Sequence, residues 1–159
     1  MLWNFFNRFY MSSKKGILYE RLPSVDGRRG WYEGREGDEE KDKEGYPKYN
    51  KYEGEIENGK PNGNGTCTLI NGATYVGQYV DGLREGLGTF TWSIHAPDGG
   101  GVYQGEYKNN RRNGKGKRTY RDGSILEGYW KDNKLWNGTK YDKEGNISRK
   151  YVNGECKKI

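Results

Sequence analysis

The sequence predicts an all-β protein, an elongated single-layer antiparallel meander of repeated β-hairpins with a short amphipathic helix ahead of it. Three observations predict it. Leu, Ile, Val and Phe make up only 24 of the 159 residues, a fraction that by composition alone signals disorder and is too small to fill a layered α/β core. Rings are plentiful instead, with 14 Tyr, 5 Trp and 4 Phe, and each buries roughly 150–250 Å² when packed. The rings and the 26 glycines recur in phase along most of the chain, and recurrence at a fixed period is the signature of a repeat architecture.

Residues 1–15 read as the helix. At about 100° per residue, Leu2, Trp3, Phe5, Phe6, Phe9 and Tyr10 fall within an arc of roughly 160°. Arg8, Lys14 and Lys15 flank them, and the first acid is Glu20. So short a helix is marginal alone in water, so it docks on a membrane interface, on a partner or on the repeats. An organellar, mitochondrial targeting peptide is a further reading, which the missing acids fit and the single Arg does not.

Residues 16–51 read as a non-repeat cap hairpin and a charged linker. Gly16 to Tyr19 and Gly30 to Gly34 are the two short strands, placed to cover the end of the array that would otherwise lie open. Gly34 to Gly45 is dense in Glu, Asp and Lys and reads as solvated linker.

Residues 52–159 are the array, in units 52–74, 75–102, 103–125 and 126–146 with a stub at 147–159. Tyr52-Glu53-Gly54, Tyr75-Val76-Gly77 and Tyr103-Gln104-Gly105 open the first three units at spacings of 23 and 28, and Leu126-Glu127-Gly128 opens the fourth a further 23 on. A G-x-G pair follows at constant offset, as Gly63 and Gly65, Gly86 and Gly88, then Gly114 and Gly116. Asn110 stands where a glycine is expected, and Asn tolerates positive φ well. Tyr151 to Gly154 matches Tyr79 to Gly82 and ends the array.

Within each unit Tyr52/Gly54/Ile56, Tyr75/Gly77/Tyr79 and Tyr103/Gly105/Tyr107 alternate with polar residues, the period of a half-buried strand. A second strand follows the G-x-G, and Asn71-Gly72 and Asp122-Gly123 read as hairpin turns that need positive φ. The second unit is five residues longer than its neighbours, the excess falling in Ser93 to Pro97, which reads as a tolerated insertion at a hairpin tip, with a binding loop as the alternative.

The pattern Tyr75-x-Gly77-x-Tyr79 through Gly82 to Gly86-x-Gly88 resembles the MORN repeat (membrane occupation and recognition nexus). The resemblance spans about residues 52 to 154. It implies the hairpin meander, and little about activity, because such repeats accompany lipid kinases, junctional membrane proteins, ciliary spoke heads and a methyltransferase.

Charge is uneven. Residues 1–50 carry net +1, residues 51–102 net −3 and residues 103–159 net +8. Arg111, Arg112, Lys115, Lys117, Arg118 and Arg121 crowd one hairpin and read as a patch for anionic lipid or an acidic partner. Nucleic acid ranks last, since no recognition motif accompanies the charge. Chemistry has few components: His95 is the sole histidine, Cys67 and Cys156 lie far apart, and the G-x-G pairs recur in one phase as backbone devices rather than phosphate loops. No catalytic or metal-ligating residue and no cofactor is assigned, and no run approaches the roughly 18 apolar residues of a membrane span.

The expectation is a non-catalytic scaffold or adaptor inside the cell, cytoplasmic or peripheral on a membrane. It takes a peptide or helix on its aromatic face, meets anionic membrane surfaces, and pairs through a sheet edge with a second copy. The alternative is an accessory or regulatory module for a lipid kinase or another enzyme acting in trans.

Overall fold

The computed structural model describes residues 14–21, 30–33, 43, 45, 48–97 and 100–158. Its strands are β1 (Lys14–Arg21), β2 (Gly30–Glu33), β3 (Asn50–Glu57), β4 (Lys60–Thr68), β5 (Thr74–Val80), β6 (Leu83–Thr91), β7 (Val102–Lys108), β8 (Arg111–Thr119), β9 (Ile125–Lys131), β10 (Lys134–Tyr141), β11 (Ile147–Val152) and β12 (Glu155–Lys158). They form a single antiparallel sheet in the order β12 to β3 and then β1 and β2. From β3 onward each strand pairs with the next, as in a meander. β1 lies between β3 and β2, so the first hairpin covers the N-terminal side of the array.

Among the described residues there is no helix. Leu2, Trp3, Phe5, Phe6, Phe9 and Tyr10 lie outside them. The boundary at residue 15 is corrected, because Lys14 and Lys15 are strand residues paired with Ile56 and Glu55. Most of the charged linker also lies outside the described residues.

Register explains the glycines. Gly16, Gly54, Gly65, Gly77, Gly88, Gly105, Gly116, Gly128 and Gly138 stand opposite one another in one row across nine strands. Tyr52, Tyr75 and Tyr103 occupy the adjacent row and lay their rings over this bare backbone. A Cβ at Gly65, Gly88 or Gly116 would fall 2.3, 2.3 and 2.1 Å from the phenol oxygen of Tyr52, Tyr75 and Tyr103 respectively.

The phenols reach that far because each hairpin is bulged in its second strand. The register shifts between Gly54 and Ile56, Gly77 and Tyr79, and Gly105 and Tyr107. The surplus falls on the second strand of each hairpin, where 62–64, 85–87 and 113–115 stand opposite the single residues Glu55, Gln78 and Glu106 and leave their carbonyls outside the ladder. Tyr52 donates to the Glu55 carbonyl at 2.8 Å, Tyr75 to Gln78 at 3.2 Å and Tyr103 to Glu106 at 3.3 Å. On the opposite face Gln78 Oε1 accepts from Leu87 N at 3.0 Å and Glu106 Oε1 from Lys115 N at 3.0 Å. These side chains press on the first glycine of each G-x-G, where φ is +65° at Gly86 and +107° at Gly114. The second strand of each unit therefore contains its G-x-G rather than following it.

The tight two-residue turns are Asn58-Gly59, Asp81-Gly82, Asn109-Asn110, Asp132-Asn133 and Asn153-Gly154, both residues of each at positive φ, the geometry whose twist matches a hairpin. The last makes the stub at 147–159 a complete hairpin. Asn71-Gly72 and Asp122-Gly123 differ from the expectation, since only their glycines have positive φ. Asn71 and Asp122 instead accept the amide protons of Ala73 and Ser124.

Rings carry the packing between units. Trp31, Tyr52, Tyr79, Tyr75, Tyr107, Tyr103 and Trp130 form a chain of edge-to-face contacts with centroids 5.1–5.9 Å apart, each pair contributing about 0.5–1.5 kcal/mol beyond its area. Tyr52 touches Tyr79 of the next unit, Tyr75 touches Tyr107, and Tyr103 touches Trp130, so links between neighbouring units alternate with the links Tyr75–Tyr79 and Tyr103–Tyr107 within them.

Burial raises the phenol pKa of Tyr52 and Tyr75 from 10.0 to about 12, and the Cys67 thiol from 9.0 to about 11. The phenols of Tyr79, Tyr103 and Tyr107 are raised further, again by burial first. An acid whose folded pKa exceeds its unfolded value stabilises the fold fully below the unfolded pKa and loses that contribution as pH climbs to the folded one. Stability is thus expected to fall between pH 10 and about 12. In a tyrosinate absorbance titration the phenols of Tyr52, Tyr75, Tyr79, Tyr103 and Tyr107 should ionise only as the sheet unfolds. A single step with the fold intact would contradict this.

Candidate partner-binding face

Tyr52, Tyr75 and Tyr103 are fully buried, so the surface of the ring face is made by other residues. Nine positions after each opening Tyr stands the residue that covers the rings: Pro61, Arg84 and Arg112, with Leu135 in the fourth unit. The Arg84 guanidinium lies 5.5–5.6 Å from the ring centroids of Tyr75, Phe90 and Tyr107. Arg112 lies 4.7 Å from Trp130, 5.6 Å from Tyr103 and 5.7 Å from Trp92.

Both are held by the next hairpin's turn. Asn110 Oδ1 accepts from Arg84 N at 2.9 Å, and Asn110 N donates to Arg84 O at 3.0 Å. Asn133 repeats both bonds with Arg112, at 2.9 and 3.1 Å. Asn at these positions, in place of the usual glycine, therefore adds a side-chain acceptor that glycine lacks. Burial, and behind it the charge of Arg118, hold the Arg112 guanidinium below its ordinary pKa.

The six-residue patch does not come together as one surface. Arg118 is buried between Trp92 and Tyr120, 4.1 and 4.2 Å from their centroids, and donates to Gly100 O at 3.2 Å. Arg111 pairs with Asp132 at 3.0 Å. Arg121 donates to the carbonyls of Ser93 and Ile94. Lys115 and Lys117 are exposed on the opposite face, Lys117 standing between Gln104 and Glu127. The reason is alternation: neighbours along a strand point to opposite faces.

Beyond β3, where Glu20 of β1 stands opposite Asn50, the ring face nevertheless has one sign of charge. Strands β4 to β11 place Arg84, Arg112, Arg118, Lys140 and Arg149 on it and no Asp or Glu. The carboxylates of the array fall on the opposite face or in turns. Sequence reading missed Arg84 and the special place of Arg112. Their separation of 28, equal to that of Tyr75 and Tyr103, was the available signal.

Among the described residues, clefts open on both faces of the sheet. One of about 420 Å³ lies under the Ser93 to Pro97 insertion, against Asn71, Ala73, Phe90 and Trp92. The other, of about 520 Å³, gathers Glu55, Glu57 and Glu85 on the opposite face. Its acids already serve the fold, with Glu57 accepting from Asn62 and Glu85 from Asn109 N at 2.8 Å. Among the described residues no group of three or more His, Cys, Asp or Glu is placed to hold a metal ion. No helix among them is long and apolar enough to cross a membrane. His95 is exposed in the insertion, and His95→Ala is expected to change stability by less than about 0.5 kcal/mol in a urea titration.

The repeating bulge, glycine row and ring chain have a counterpart in known proteins. The MORN repeat family matches residues 52–74, 75–95 and 103–125. These are MORN repeats. The matched segments begin on Tyr52, Tyr75 and Tyr103, the residues whose phenols bond the bulged carbonyls. The β9–β10 hairpin beyond the third MORN repeat keeps the glycine row through Gly128 and Gly138, with Leu126 in the tyrosine's place.

Alsin from Homo sapiens is 32% identical over 82 residues, 52% of this chain and 5% of Alsin. Alsin from Rattus norvegicus has the same identity and coverage. MORN repeat-containing protein 3 from Xenopus laevis is 30% identical over 71 residues, 41% of this chain and 28% of that protein. The chain thus covers a small part of the length of these relatives.

Proposed function

We propose that this protein is a non-catalytic scaffold whose ring face binds an acidic segment of a protein partner. The observation that carries the reading is the run of five cations on that face, from Arg84 to Arg149, with no carboxylate among the strand positions of β4 to β11. The Nε and Nη2 groups of Arg84 and Arg112 donate to Asn110 and Asn133, and Arg112 Nη1 is buried, so a carboxylate would be met by the charge of the strip and by Nη1 of Arg84. The Arg84 and Arg112 side chains donate to Asn110 and Asn133 of the following turns, so little side-chain freedom is lost on binding. A partner enzyme regulated in trans would dock by the same chemistry.

The test is fluorescence anisotropy with short labelled peptides rich in Glu, against matched peptides with Gln. Salt-sensitive binding of the Glu peptide that weakens at least tenfold in Arg84→Gln/Arg112→Gln, with the fold retained by circular dichroism, is expected. Equal binding by that variant would place the site elsewhere.

A second reading concerns the terminal hairpins. Lys131 stands opposite Lys134, Lys140 opposite Arg149 and Lys150 opposite Lys157. Like charges directly opposite destabilise a sheet, and an anionic membrane surface would relieve them at about 1 kcal/mol per near-surface cation. Co-sedimentation with phosphatidylserine vesicles should then drop in Lys150→Gln/Lys157→Gln and with added salt. Vesicle binding unchanged in that variant would sink this reading.

A further inference from the structure

We infer that the cleft under the Ser93 to Pro97 insertion is the anchor pocket of the ring-face site, and that it takes one apolar side chain of the acidic segment. This rests on the proposed reading of the ring face and adds to it what the partner must carry besides acid.

The insertion stands off the sheet because its carbonyls are held from the far side. Arg121 donates to Ser93 O and Ile94 O, and Arg118 donates to Gly100 O at 3.2 Å. Within the loop Ala96 N donates to Ser93 O at 3.0 Å, and at its base Trp92 N donates to Gly101 O at 3.0 Å. The loop therefore has a defined shape, and the space of about 420 Å³ beneath it is not filled by its own side chains. Ile94 points away and is 72% exposed.

The floor is apolar. Phe90 and Trp92 meet edge to face at 4.8 Å, with Ala73 and Pro97 beside them. Ligand clefts run from roughly 300 to 1,000 Å³, so this one, at the lower end, suits one large side chain rather than a long acyl chain.

The floor also belongs to the cationic strip. The Arg84 guanidinium lies 5.6 Å from the Phe90 ring, and Arg118 and Arg112 lie 4.1 and 5.7 Å from Trp92. An extended chain advances about 3.3 Å per residue. A carboxylate one or two residues from the anchored side chain therefore reaches Arg84 or Arg112. The occupant is an acidic peptide with a Phe or Leu next to, or one residue from, its Asp or Glu.

The experiment uses the full chain and three short labelled peptides: Glu-rich with one central Phe, the same with Ala for Phe, and the same with Gln for every Glu. The Phe–Glu peptide should bind at least tenfold tighter than the Ala–Glu peptide. Ala96→Trp, which fills the cleft from the loop, should erase that preference and leave Ala–Glu binding unchanged. His95→Trp serves the same purpose should the first variant fail to fold. If the preference survives filling of the cleft, the inference is overturned while the ring-face reading stands. If neither Glu peptide binds, the ring-face reading falls and the inference with it. If phosphatidylserine vesicles shift the Trp92 indole N–H signal in heteronuclear NMR and the Phe–Glu peptide does not, the occupant is lipid and the inference is wrong.

Discussion

Gly105→Val is expected to unfold the array around the third MORN repeat. A Cβ at Gly105 would sit 2.5 Å from Gly116 Cα, 2.6 Å from Lys115 O and 2.6 Å from the Tyr103 phenol oxygen. Two of these are backbone atoms of the paired strand, so no side-chain rotation makes room. Overpacking in a core costs typically about 1–3 kcal/mol, and relief here requires the β7–β8 ladder itself to open, which exceeds that range. The equivalent Gly77→Val meets Gly88 Cα and Leu87 O at 2.6 Å and should behave alike. Gly30 is the control: nothing lies within 4 Å of its would-be Cβ, and Gly30→Val should shift stability by no more than about 0.5 kcal/mol. Urea titrations followed by circular dichroism make the comparison. A Gly105→Val protein as stable as the parent would mean that the row of facing glycines does not set the packing.

Tyr75→Ala should cost about 3–5 kcal/mol, the range for truncating a large buried ring. Tyr75 is 1% exposed, touches Tyr79 at 5.2 Å and Tyr107 at 5.1 Å, and lies under Arg84. Its loss leaves the Gln78 carbonyl without the phenol and interrupts the ring chain between the second and third MORN repeats. Because stability in such arrays is a sum of nearest-neighbour terms, the expected signature is a lower m-value or two resolved transitions as the halves uncouple. Tyr75→Phe keeps the ring and removes only the hydroxyl, and should cost about 1 kcal/mol. A single cooperative transition with an unchanged midpoint in Tyr75→Ala would contradict the role given to the ring chain.

What the sequence by itself determined is what depends on near neighbours. Tyr52, Tyr75 and Tyr103, the paired glycines and the places of the Asn71-Gly72 and Asp122-Gly123 turns were legible because strand alternation and turn residues are written into a few consecutive residues, although both turns take positive φ at the glycine alone. The alternation of Lys115, Lys117 and Arg118 was equally local, yet their shared hairpin concealed that two face away from the third. The charges looked like one patch in the chain because adjacency in sequence is not adjacency on a sheet.

The tertiary structure decided what depends on register. The bulges opposite Glu55, Gln78 and Glu106 are marked in the sequence only by Gly63, Gly86 and Gly114, whose positive φ gave no hint of which carbonyls the bulges would free. They aim the phenols at free carbonyls and bury the rings, so that Arg84 and Arg112 rather than tyrosine make the ring-face surface. Arg118 stacks on Trp92 from 26 residues away, and Arg121 holds the carbonyl of Ser93 from 28. Contacts at that separation exist only once neighbouring hairpins pair, which is why the insertion read as a tolerated loop in the chain and emerged as the wall of a cleft in the sheet.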